Sequence, residues 1–224
     1  MSIEWKGVMP AVFTWFKESK SSSLEIDFEA TQKQAAGILK AQGKGGSRMS
    51  GLVGSGTLGE NSYLNSNQRL SLLKSLSEVA KEYNIPLISG AAAETKEELA
   101  KIIEGLATVG VDTVMVMPPK TKSIPSDKEM FEYYALSEAT AKDVGITIMP
   151  YNNPDAAGYH ALSTELLLKL ANLPNVTALK ISTIDVSIIN ASDDTTLTET
   201  ACISYTGAAG SVWTTPGFSA QSDT

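Results

Sequence analysis

Val176-Thr177-Ala178-Leu179-Lys180-Ile181 reads as a short buried strand, apolar or small at every other position, with one lysine in it. On a period of two, Val176, Ala178 and Lys180 share one face. Lysine is among the residues least often fully buried without a partner. An ammonium in that setting loses hydration, so its pKa falls and the neutral amine becomes available as a nucleophile. Such a lysine can form a Schiff base with a carbonyl substrate. The plainer reading is a strand-end lysine whose apolar stem lifts its head to water, and for an arbitrary strand that is the commoner outcome.

Upstream of this run, strand and helix signals alternate. Gly7 to Phe13, Gly51 to Val53, Pro86 to Ser89, Val111 to Met117 and Gly145 to Met149 read as strands. Between them, Asp27 to Gln42 and Asn67 to Tyr83 carry apolar residues at helical spacing. Thr95 with Glu98 and Ser126 with Glu129 form capping-box patterns for two more helices, and Ser163 to Leu173 makes a fifth. Strands alternating with helices at short spacing predict a parallel α/β fold. Periodicity alone does not choose between an open doubly wound sheet and a closed barrel. Both place active sites at the C-terminal ends of the strands. The Gly54–Glu60 loop, Tyr151 and Lys180 all fall at such ends.

Composition narrows the chemistry. The 224 residues carry 18 basic and 25 acidic side chains, a formal charge of -7, and only two arginines, Arg48 and Arg69. With no basic run, nucleic acid and anionic membranes are poor partners. No apolar stretch approaches a membrane span, and the first residues lack a signal-peptide core. One cysteine, Cys202, excludes an intrachain disulfide, and one histidine, His160, excludes a multi-histidine metal site. Cys202 reads as a small buried hydrophobe and His160 as a surface residue. A reducing, cytoplasmic setting is the default. Any catalysis must come from lysine, tyrosine, hydroxyls and carboxylates.

Gly54-Ser55-Gly56-Thr57-Leu58-Gly59-Glu60 matches the G-x-G-x-x-G dinucleotide pattern. It follows the second strand rather than the first, and no acidic residue closes the next strand at Ile88-Ser89-Gly90. A loop whose N–H groups and Thr57 hydroxyl hold a carboxylate ranks first. A bare Gly-rich turn ranks second and a dinucleotide site third. Tyr151-Asn152-Asn153-Pro154 lies just past a buried strand. Alone it reads as a turn with an interface tyrosine, but beside a Schiff-base lysine the phenol could relay protons.

Taken in order, Gly56-Thr57-Leu58-Gly59-Glu60, then Tyr151-Asn152-x-Pro154 with Gly158, then Leu179-Lys180 on a strand 29 residues after the tyrosine resemble the dihydrodipicolinate synthase and N-acetylneuraminate lyase family. The opening Trp5-Lys6-Gly7-Val8-Met9-Pro10-Ala11 and the late Asp193-Asp194 fit the same pattern. The resemblance covers residues 5 to 190 well and the remainder loosely. It implies one (β/α)8 TIM barrel of the class I aldolase type over residues 1–224, acting without a cofactor or metal on pyruvate or a related 2-oxo acid, and assembled as a homo-tetramer. It implies that Lys180 is the Schiff-base lysine, that Tyr151 relays protons, and that Thr57 binds the substrate carboxylate and joins the relay. Gly56, Thr57 and Leu58 then form the substrate-binding loop.

Departures from the family pattern refine the expectation. Leu58 stands where the family places a second hydroxyl, so one carboxylate contact falls to backbone N–H groups. Ala156 stands where the dihydrodipicolinate synthase branch carries an arginine, and Met117-Pro118-Pro119-Lys120 where it carries a tyrosine. The chain therefore resembles the branch of sugar-acid aldolases, dehydratases and hydroxyproline-pathway deaminases more than the lysine-biosynthetic one. From Lys180 to Asp193 is 13 residues, where the family spends roughly twice that. The barrel is expected to be incomplete after about residue 185, with Gly207 to Trp213 resembling the eighth strand. Besides a Schiff-base lyase, a shortened relative without catalysis and a deaminase or dehydratase on a 2-oxo or pyrroline carboxylate stay open.

Overall fold

Alternating strands and helices curl into part of a barrel in the computed structural model. It describes residues 3, 5, 7–18, 24–41, 49–119, 125–153 and 162–181, with the backbone of 203–207 and 210–214. The elements run α1 (Phe28–Lys40), β1 (Leu52–Gly54), α2 (Ser66–Glu82), β2 (Leu87–Ala91), α3 (Lys96–Thr108), β3 (Thr113–Val116) and α4 (Asp127–Asp143). Then follow β4 (Thr147–Asn152), α5 (Thr164–Ala171), β5 (Leu179–Ile181), β6 (Ile203–Gly207) and β7 (Gly210–Thr214). The strands sit side by side in chain order, parallel from β1 to β6. From β1 to β5, helices return the chain between successive strands, as parallel pairing requires.

Side chains start and stop these helices. Asn65 accepts a hydrogen bond from the backbone N–H of Gln68 while the Gln68 side chain accepts from that of Asn65, a reciprocal box that opens α2. Ser126 and Glu129 repeat it at α4. At α3, Thr95 accepts from the Glu98 N–H. Asp27 and Ser163 cap α1 and α5.

Strand pleating sorts the core into two layers. Leu52, Leu87, Val114, Val116, Ile148, Leu179 and Ile181 point outward and bury themselves under Leu72, Leu76, Leu99, Ile103 and Leu170 of the helices. Trp5, Met9, Val53, Ile88, Met115, Met149, Tyr151 and Ala178 point inward as a second cluster. Each fully buried leucine contributes about 2 kcal/mol by leaving water. At the floor of the inner layer the Thr113 and Thr147 hydroxyls meet at 2.7 Å.

Three details differ from the pattern read in the sequence. Residues 7–13 form isolated bridges, Val8 to Met49 and Ala11 to Val53, instead of a continuous strand. The partner offset grows from 41 to 42 between the two, so the ladder slips by one residue around Pro10, which has no N–H to donate. Near the other end, the expected single strand is a hairpin. Gly207 faces Gly210, and β7 runs antiparallel to β6. The third is the face of Val176. It belongs to the outer layer with Ile148, whereas Ala178 lies inside.

The register explains that third difference. Val176 bridges to Ile148, an offset of 28, whereas Lys180 pairs with Tyr151, an offset of 29. One extra residue on the incoming segment inverts its alternation, as a bulge does. Val176 therefore faces out and Lys180 faces in.

Candidate active site

β4 and β5 bring the lysine and the tyrosine together. Tyr151 and Lys180 are direct partners in the ladder, so their side chains leave the sheet on the same face. The Lys180 ammonium nitrogen lies 4.2 Å from the centroid of the Tyr151 ring. The negative face of the phenol attracts the cation while the surrounding protein strips it of water. Burial pushes the Lys180 pKa down from its usual 10.5 to about 8. A sizeable fraction of the amine is then neutral near physiological pH.

Tyr151 is itself buried, and its hydroxyl oxygen meets the Asn153 side-chain amide at 2.6 Å. Asn152, between them, faces the other way. Its side-chain oxygen accepts the Leu162 N–H at 2.9 Å, tying the end of β4 to the approach of α5. Neither asparagine is picked out by composition or periodicity. The two-residue alternation of β4 continued past Tyr151 would have placed Asn153 beside the phenol.

The Gly54–Glu60 loop lies at the same end of the sheet, after β1. Ser55 and Glu60, neither a glycine, hold left-handed backbone angles, φ 49° and 57°. The loop folds on itself: Gly59 N–H and Asn61 N–H both donate to the Gly56 carbonyl, and the Thr14 hydroxyl donates to the Gly59 carbonyl. A Cβ on Gly90 would sit 2.7 Å from the Ser55 carbonyl oxygen, so glycine in β2 lets the loop lie flat on the sheet. Gly56 is buried, and Thr57 and Leu58 are exposed. The structure thus brings Lys180 and Tyr151 into contact and leaves Thr57 at the same rim, its hydroxyl without a hydrogen bond among the described residues. Pro154, Ala156, Gly158, His160, Asp193, Asp194 and Cys202 lie outside the described residues. Among those described, no group of three histidines, cysteines or carboxylates could hold a metal ion, and no helix is long and apolar enough to cross a membrane.

Parallel strands wrapped by helices, with a desolvated lysine on β5 and a tyrosine on β4, form part of a TIM barrel. The model of the Dihydrodipicolinate synthetase family matches residues 4–213, and the chain belongs to that family. A 4-hydroxy-tetrahydrodipicolinate synthase of Archaeoglobus fulgidus is 27% identical over 176 residues, 79% of this chain and 54% of its own length. A second, from Halalkalibacterium halodurans, is 31% identical over 149 residues, 65% of this chain and 49% of that one. The chain thus spans about half the length of these curated relatives. Among solved structures, dihydrodipicolinate synthase from Bacillus anthracis superposes with TM-score 0.75 at 21% identity, covering 91% of this chain and 64% of that one. Ruminococcus gnavus sialic acid aldolase gives 0.72 at 23% identity, covering 89% and 61%. These two likenesses establish the fold. A synthase and an aldolase share it.

Proposed function

We propose that this chain is a Schiff-base lyase of the aldolase type, acting on pyruvate or a related 2-oxo acid through Lys180. One observation carries the reading: a lysine amine desolvated on a barrel strand and seated over the phenol of its ladder partner. The neutral amine adds to the 2-oxo carbon to give a carbinolamine. Loss of water leaves an iminium, which draws electrons from the adjacent carbon bond and breaks it to an enamine. Tyr151 delivers and collects the protons of these steps. The Thr57 hydroxyl and the N–H groups around Gly56 and Leu58 receive the substrate carboxylate. No cofactor is required, because the iminium itself is the electron sink.

Within the family, Leu58, Ala156 and the Met117-Pro118 pair support a substrate of the sugar-acid or hydroxyproline-derived kind over the dihydrodipicolinate synthase substrate. The same resemblance supports a homo-tetramer, and the single cysteine a reducing, cytoplasmic compartment. Borohydride reduction with pyruvate and a panel of longer 2-oxo acids is the test. A mass increase on Lys180 is expected. A cooperatively folded chain that gains no mass across the panel would favour a relative without catalysis.

A further inference from the structure

We propose that Asn153 is a positioning residue for Tyr151, holding in place the phenol oxygen that relays the protons. This rests on the Schiff-base reading above. A phenol has one hydrogen and two acceptor lone pairs. The Asn153 amide nitrogen lies 2.6 Å from the Tyr151 oxygen and occupies one of those lone pairs. The phenol hydrogen is left for another acceptor. The Lys180 ammonium meets the same ring on its face, 4.2 Å from the centroid. One contact at the oxygen and one on the face fix the ring along two directions.

Strand parity makes the arrangement specific to this asparagine. Residues 149, 151 and 153 share the inward side, and Met149 and Tyr151 both lie in the inner cluster. Asn152 turns outward and spends its oxygen on the Leu162 N–H. Two adjacent residues of identical chemistry thus do different things, one ordering the loop entry and the other the phenol.

A double-mutant cycle on the full chain separates positioning from general structural support. The readout is the rate of borohydride-trappable adduct formation at saturating pyruvate. Asn153→Ala is expected to slow it about tenfold, the scale of one lost hydrogen bond, with the half-saturating pyruvate concentration changed less than about twofold. In a Tyr151→Phe background, which has no phenol oxygen, the same change is expected to have less than about a twofold effect. Equal losses in both backgrounds, or a native rate in Asn153→Ala, would overturn the proposal. If Asn153→Ala does not melt cooperatively, Asn153→Leu takes its place in the cycle. It keeps about the same size, removes the donor without adding charge and carries the same expectations. No adduct in the native chain would remove the Schiff-base reading and this proposal together, whereas an adduct with additive Asn153 effects removes only this one.

Discussion

Lys180 faces Tyr151 across the β4–β5 ladder, its ammonium nitrogen 4.2 Å from the centroid of the phenol ring. The charged form of the lysine is held there against a desolvation cost that the ring offsets only in part, because burial still lowers the pKa to about 8. Reactivity and stability therefore depend on pH through the same group.

For reactivity the neutral amine is required. The rate of adduct formation with pyruvate should rise with pH through about 8 and level off above it. Stopped borohydride trapping between pH 6 and pH 9.5 measures this, and a flat profile across that range would contradict it. Lys180→Met should abolish the adduct.

For stability the shift is a penalty on the charged form, and stability rises with pH across the window, as it does for a carboxylate of depressed pKa. The folded pKa lies below the ordinary 10.5, so the unfolded chain binds the extra proton between these values. The penalty is full below about pH 8 and is relieved as pH rises toward 10.5. Lys180→Met should therefore be more stable than the native chain at pH 7, by up to about 3 kcal/mol. Urea midpoints should show that advantage shrinking between pH 8 and pH 10.

Gly90→Ala tests the link between β2 and the Gly54–Glu60 loop. The new methyl would stand 2.7 Å from the Ser55 carbonyl oxygen and 3.2 Å from the Gly56 Cα, both backbone atoms that cannot swing aside. A loss of about 1–3 kcal/mol is expected. The half-saturating pyruvate concentration should also rise, since the displaced loop is the proposed carboxylate cradle. Thermal melts and adduct titration report the two effects separately.

Beneath the site, the Thr113 and Thr147 hydroxyls pair at 2.7 Å. Thr113 is fully buried, so Thr147→Val strands its hydroxyl and should cost about 1–3 kcal/mol. Adding Thr113→Val removes the stranded group and should recover part of the loss. Denaturation midpoints of the single and double variants decide it.

The parts of this molecule legible in the sequence are those set by local chemistry. Caps at Thr95 and Ser126 and the strands β3 and β4 follow from local sequence, and the helices of the structure lie within a few residues of where periodicity places them. Lys180 was identifiable because a charged residue in an apolar run violates a simple rule, and Tyr151 because of its spacing from it. Slips in register were not legible. The expectation that Val176 shares a face with Lys180 assumes an unbroken pleat. Whether a partner strand skips a residue depends on the other strand, on the Asn175 N–H that donates to Glu138, and on the Asn175 side chain that donates to the Ile146 carbonyl. Asn153 escaped notice for a related reason: an asparagine beside a proline reads as a turn until the neighbouring phenol is in view.

That slip between Val176 and Lys180 means the lysine reaches its surroundings by counting rather than by chemical preference. Deleting one residue from Thr177-Ala178 would leave composition, charge and hydropathy almost unchanged. Yet such a deletion makes the two offsets equal, so Val176 can still bridge Ile148 and the lysine still pair with Tyr151 across an unbroken pleat. The extra residue is thus a spare one: the chain can lose it here and keep the amine over the phenol, whereas the same loss between two residues of a regular ladder would turn the side chains beyond it to the other face.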